Sequence, residues 1–153
     1  MHEIYMKEIL EKHGEYIIEV AAVGSQTSVS PPPPIEESDT DILVLVKEDK
    51  FEEFQDSALD DDYDYPIGTD HDYEHAKDWD EEMFFVTFRN SDGVNLIVTT
   101  SQKFYNRFVL ANQTCKYLNL KGKDDRIAVF QAILYECDPH EYFYVAPDDE
   151  DFY

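Results

Sequence analysis

Two short groups of residues carry the chemistry this chain could perform: Gly24-Ser25 and, beyond a thirteen-residue loop, Asp39-Thr40-Asp41. A glycine lets backbone approach a phosphate closely, and a serine hydroxyl can hydrogen-bond that phosphate. Two carboxylates two residues apart on a strand point to the same side. Asp39 and Asp41 can therefore share a hard cation such as Mg²⁺ or Mn²⁺ through oxygen ligands. A cation held there would neutralise a nucleoside triphosphate and keep an attacking hydroxyl in line with the leaving pyrophosphate.

Such groups need a frame. Ile42-Leu-Val-Leu-Val46 is a continuous apolar run, the pattern of a central strand covered on both faces, with Asp39 and Asp41 at its entrance. Tyr16 to Val23 suits a helix or a strand, and a strand over its last four residues leads into Gly24. Residues 3–12 carry a helical pattern that Gly14 interrupts. Met83–Phe88 and Val94–Thr99 read as a hairpin closed by Asn90-Ser-Asp-Gly93, with Gly supplying positive φ. Phe104, Phe108, Ala111 and Cys115, then Ile127, Phe130, Ile133 and Leu134, recur at three- and four-residue steps and predict two amphipathic helices. The four prolines Pro31–Pro34 predict a rigid, extended surface loop, a spacer between the two site elements. Short helices are expected at about 49–58 and 71–79, around an exposed loop at Asp60–Pro66 too acidic to pack.

With these residues in view, the chain resembles the DNA polymerase beta-like nucleotidyltransferase superfamily. The matching residues are Val23-Gly24-Ser25 and Ser38-Asp39-Thr40-Asp41-Ile42-Leu43-Val44. The runs Asn95–Ala111 and Asp125–Tyr135 further resemble small nucleotidyltransferase-like proteins of tailed bacteriophages. The resemblance implies a single α/β (α+β) domain over residues 1–138, a mixed β-sheet flanked by helices. It carries an acidic insert at about 48–82 and an acidic, aromatic tail at 139–153. It implies transfer of a nucleoside monophosphate from an NTP to a hydroxyl acceptor. Asp39 and Asp41 would hold Mg²⁺ or Mn²⁺, and Gly24 and Ser25 would bind the nucleotide. It also implies a third carboxylate on a neighbouring strand, where Asn95 stands instead. An amide can coordinate through oxygen but cannot usefully accept a proton, and Asp92 would replace it only if its turn folded inward.

Other patterns weigh less. His71-Asp-Tyr-Glu74-His75 matches a zinc motif, but no third ligand on a large peptidase scaffold accompanies it, and a solvated helix start is the plainer account. Lys103, Arg107, Lys116, Lys121, Lys123 and Arg126 are half of all basic residues and include candidates to meet triphosphate oxygens, although a merely solvated face is the simpler reading. Trp79 and the tyrosines could stack a base, but Phe and Tyr in strands are more often core, and none is assigned a site role. Cys115 and Cys137 lack ligand spacing and read as reduced core residues on helices.

The formal net charge is −23 over 153 residues. Such a field repels duplex nucleic acid and attracts cations and basic protein surfaces. No apolar run reaches the length of a membrane span, and the chain is expected in the cytoplasm, that of the host if phage-encoded. The charge, with Asn95, supports a second reading: an inert relative whose acidic surface binds and inhibits a basic host protein that handles nucleic acid or serves defence.

Overall fold

A computed structural model describes residues 2–33, 39–65 and 82–135. The expected helix at 71–79, the His71/Glu74/His75 motif, Trp79, Cys137, the end of the proline loop and the tail lie outside the described residues.

Four strands form one mixed sheet in the order β1-β2-β4-β3: β1 Ile17–Val23, β2 Thr40–Val46, β3 Val86–Arg89 and β4 Val94–Thr99. Strand β2 runs antiparallel to β1 and parallel to β4, and β3 returns antiparallel to β4. The expected single α+β domain with a mixed sheet is the architecture observed. Every residue of β2 and β4 is buried, as the apolar run of β2 predicts for a strand covered on both faces.

Side chains alternate between two cores. Ile42, Val44, Val46, Leu96 and Val98 face one layer with Phe51, Phe54 and Phe88, covered by α1 (His2–His13) and α3 (Phe51–Leu59). Leu43, Leu45 and Ile97 face the other, against Phe104, Phe108, Cys115, Phe130 and Leu134 of α4 (Gln102–Leu118) and α5 (Lys123–Tyr135). Each such side chain contributes about 1.5–3 kcal/mol when fully buried, so two-sided burial of β2 is what holds Asp39 and Asp41 at its entrance. Buried Cys115, its thiol pushed up to about 11 by burial, is the reduced core residue expected.

Three expectations shift. Strand β1 spans seven residues rather than four, because pairing with β2 extends it back to Ile17. Gln26–Ser28, expected as loop, complete one helical turn, α2 (Ser25–Ser28). The acidic loop is not wholly exposed: Tyr63 is buried, Tyr65 packs on Phe88 at 4.8 Å between ring centroids, and Asp64 pairs with Arg89 at the edge of β3. Aromatic burial outweighs local acidity there, since the Asp64 carboxylate between the tyrosines still reaches solvent.

A polar clamp joins α1 to the end of α3. His13 is buried against Phe54, with Nδ1 2.6 Å from Ser57 Oγ and Nε2 3.3 Å from Asp61 Oδ2, while Lys12 Nζ reaches Asp61 Oδ1 at 3.0 Å. Burial alone would raise the Asp61 carboxyl, but hydrogen bonds and charge from Lys12 and His13 hold it net below the ordinary 3.8. A depressed carboxyl stabilises the fold above its unfolded value and loses that contribution as pH falls through the folded one. Asp61→Asn is therefore expected to lower the melting temperature at pH 7 by an amount worth under about 1 kcal/mol. The gap to wild type should close in melts run below pH 3.8; a gap independent of pH would contradict this account.

Candidate functional site

At the N-terminal ends of β2 and β4 one register line crosses the whole sheet. Val23 lies opposite Asp41, Asp41 opposite Asn95, and Asn95 opposite Arg89. Residues in register share a face, so Asp41, Asn95 and Arg89 point to one side, and Asp39, two before Asp41, joins them. This is the side of α4 and α5, just beyond the layer of Leu43 and Ile97.

The Asn95 amide bridges the two carboxylates: Nδ2 donates to Asp39 Oδ2 at 3.0 Å and to Asp41 Oδ1 at 3.1 Å. Asp41 is 2% exposed and Asn95 4%. A buried carboxylate is costly without donors, and this amide supplies one. Asn95 thus stands on the strand neighbouring β2, in register with Asp41. Asp92 does not fold inward. It stays exposed in its turn, with its N–H bound to Asn90 Oδ1 at 3.0 Å.

Arg89 completes the group. Its fork grips Asp39 with both arms, Nη1 to Oδ2 at 3.1 Å and Nη2 to Oδ1 at 2.7 Å, the geometry of a bidentate guanidinium–carboxylate pair.

The glycine turn docks on the same carboxylates. Gly24 has φ +89 and ψ −178, and a Cβ built on it would stand 2.3 Å from Asp41 Oδ2. Glycine is required there so that the Asp41 carboxylate can lie against the turn. The Gly24 N–H is not open to a phosphate, because it donates to Asn112 Oδ1 of α4 at 3.0 Å. Asn112 Nδ2 donates in turn to Thr27 Oγ1 at 2.9 Å, and the Thr27 hydroxyl donates to the Gly24 carbonyl at 2.8 Å. Partly buried Ser25 opens α2 beside this closed network.

Sequence reasoning missed Arg89, Asn112 and His2. The His2 imidazole packs beside the main chain of Val23 and Asp41; its Nε2 is buried without a hydrogen bond, and burial lowers its pKa below 6.5. Of the basic residues singled out above, Arg107 donates to the Leu134 carbonyl, Arg126 to those of Leu120 and Lys121, and Lys103 pairs with Glu82. These three secure helix ends and a loop.

Among the described residues no group of three or more His, Cys, Asp or Glu comes together. The donor set is two carboxylates converging on one amide, all hard oxygen donors once the amide turns its oxygen inward by a half rotation. That set fits a divalent cation of the Mg²⁺ type, which takes one or two carboxylates and completes its shell with water and substrate phosphates. No described helix is long and apolar enough to cross a membrane. No family model, curated protein or solved structure matches the chain.

Proposed function

We propose that the chain is a nucleotidyltransferase of the DNA polymerase beta-like type, akin to small phage-encoded members, which moves a nucleoside monophosphate from an NTP to a hydroxyl acceptor. The observation that carries this reading is the convergence of Asp39, Asp41 and Asn95 on one another beside the Gly24-Ser25 turn. Asp39 and Asp41 are the residues to hold Mg²⁺ or Mn²⁺, which when bound supplies charge neutralisation at the phosphates. Ser25 orients the triphosphate at the start of α2, while Asn112 fixes the turn that presents it. Asn95 keeps the carboxylates at their separation but takes no proton from the acceptor. Loss of a positioned base lowers rates by about 10²–10⁴-fold, so transfer is expected to be slow.

Calorimetry with ATP, CTP, GTP and UTP, each with Mg²⁺ or Mn²⁺, tests this directly. Metal-dependent binding of at least one of them in the range of about 1 µM to 1 mM is expected, followed by label transfer to an acceptor in host lysate. A folded protein that binds none of the four would overturn the reading.

A second reading has its own observation: an amide in place of the third carboxylate on a chain of net charge −23. It is an inert relative that engages a basic host protein through its acidic surface. Its mark would be a basic partner captured from lysate and lost steeply as salt rises, by a protein that transfers no label.

A further inference from the structure

Asp39 is already occupied by a cation of the protein's own. Both of its oxygens accept from Arg89, and Oδ2 accepts from Asn95 as well. A metal ion reaching Asp39 must displace the guanidinium or take oxygens it now holds. The Arg89 side chain is 43% exposed against 20% for Asp39, so the fork lies on the solvent side of the carboxylate and can leave without opening the core. Its main chain is anchored, since Arg89 and Asp64 exchange N–H to carbonyl bonds of 2.7 and 2.9 Å, and neighbouring Phe88 is fully buried. Movement is thereby confined to the side chain.

We propose that Arg89 is the resident counter-ion of Asp39, that it competes with the divalent cation for this carboxylate, and that once displaced it turns its fork to the triphosphate. This rests on the nucleotidyltransferase reading given above. A planar guanidinium matches phosphate oxygens as well as it matches a carboxylate. The two halves of the exchange predict opposite signs when Arg89 is removed. The metal alone should bind more tightly, and the metal–nucleotide more weakly.

The test measures Mn²⁺ binding to the full chain by electron paramagnetic resonance, first alone and then with a non-hydrolysable ATP analogue, in wild type, Arg89→Gln and Arg89→Lys. Arg89→Gln is expected to bind Mn²⁺ alone roughly tenfold more tightly and the Mn²⁺–analogue pair roughly tenfold more weakly, with Arg89→Lys between on both because it keeps the charge but loses the fork. Thermal melts of the metal-free proteins confirm that all three are folded. An Arg89→Gln protein that is folded and binds Mn²⁺ no more tightly than wild type overturns the exchange. Tighter Mn²⁺ binding with no triphosphate bound by any of the three supports the competition at Asp39 and sinks the transferase reading together with the turn toward phosphate.

Discussion

Gly24→Ala is expected to lower stability by about 3 kcal/mol and, in the transferase reading, to abolish metal–nucleotide binding. Two physical terms combine. The backbone at φ +89, ψ −178 lies in a region open essentially to glycine alone, and a side chain there costs on the order of 1–3 kcal/mol. The new Cβ would also meet Asp41 Oδ2 at 2.3 Å and Asp41 Cβ and Cγ at 3.0 Å. The carboxyl oxygen could swing away, but Asp41 Cβ is fixed by a strand buried on both faces. Relief therefore requires the turn to move, which would strip Gly24 N–H from Asn112 and shift Ser25. For a domain of this size the melting temperature should fall by roughly 10 °C. The double variant with Asp41→Ala removes the carboxylate and should recover about 1 kcal/mol, while the backbone strain and the contact with Cβ at position 41 remain. A single variant that melts with wild type and still binds nucleotide would refute the docking of turn on carboxylate.

Asn95→Asp should reverse its effect with the metal. Without a cation it replaces the N–H that bridges Asp39 and Asp41 at 3.0 and 3.1 Å by an acceptor facing two acceptors, at a buried position. Like-charged carboxylates at this range repel, and Asp41 loses a donor, so destabilisation of about 2–4 kcal/mol is expected. If the site takes a divalent cation as proposed, saturating Mn²⁺ would make the third carboxylate a ligand, and affinity for the ion should rise about tenfold or more. Stability gained through a ligand that binds only the native state grows with that affinity, so the melt should recover to wild type or above. In the transferase reading the restored base would also speed label transfer, by up to about 10²–10⁴-fold. Equal destabilisation with and without Mn²⁺ would show that Asn95 is a plain structural bridge and not a vacated ligand position.

Much of the frame was legible from local pattern. The two-face burial of β2 follows from its unbroken apolar run, and the helices α4 and α5 follow from three- and four-residue steps. The hairpin was legible, but its register was not. Gly93, at φ +80, makes Ser91-Asp92-Gly93 a three-residue connection in which Asn90 pairs with Val94, so Arg89 falls opposite Asn95. A connection shorter or longer by one residue would have turned Arg89 to the opposite face. The acidic loop misled because its charge was weighed and its tyrosines were not; Tyr63 and Tyr65 find apolar partners that only the assembled sheet provides.

By itself, then, the sequence determined the pieces of the site: a glycine-serine turn, a pair of carboxylates at the mouth of a buried strand, and an amide at the mouth of the neighbouring one. Alternation along a strand and the apolar pattern of a buried one are local features, written in the sequence whatever the tertiary contacts turn out to be. Only the tertiary structure decided what these residues touch. The Gly24 amide is claimed by Asn112, a residue 88 positions away, and Asp39 is claimed by Arg89, 50 positions away. Contacts at such separations are set by strand register and helix packing, which no spacing in the chain encodes.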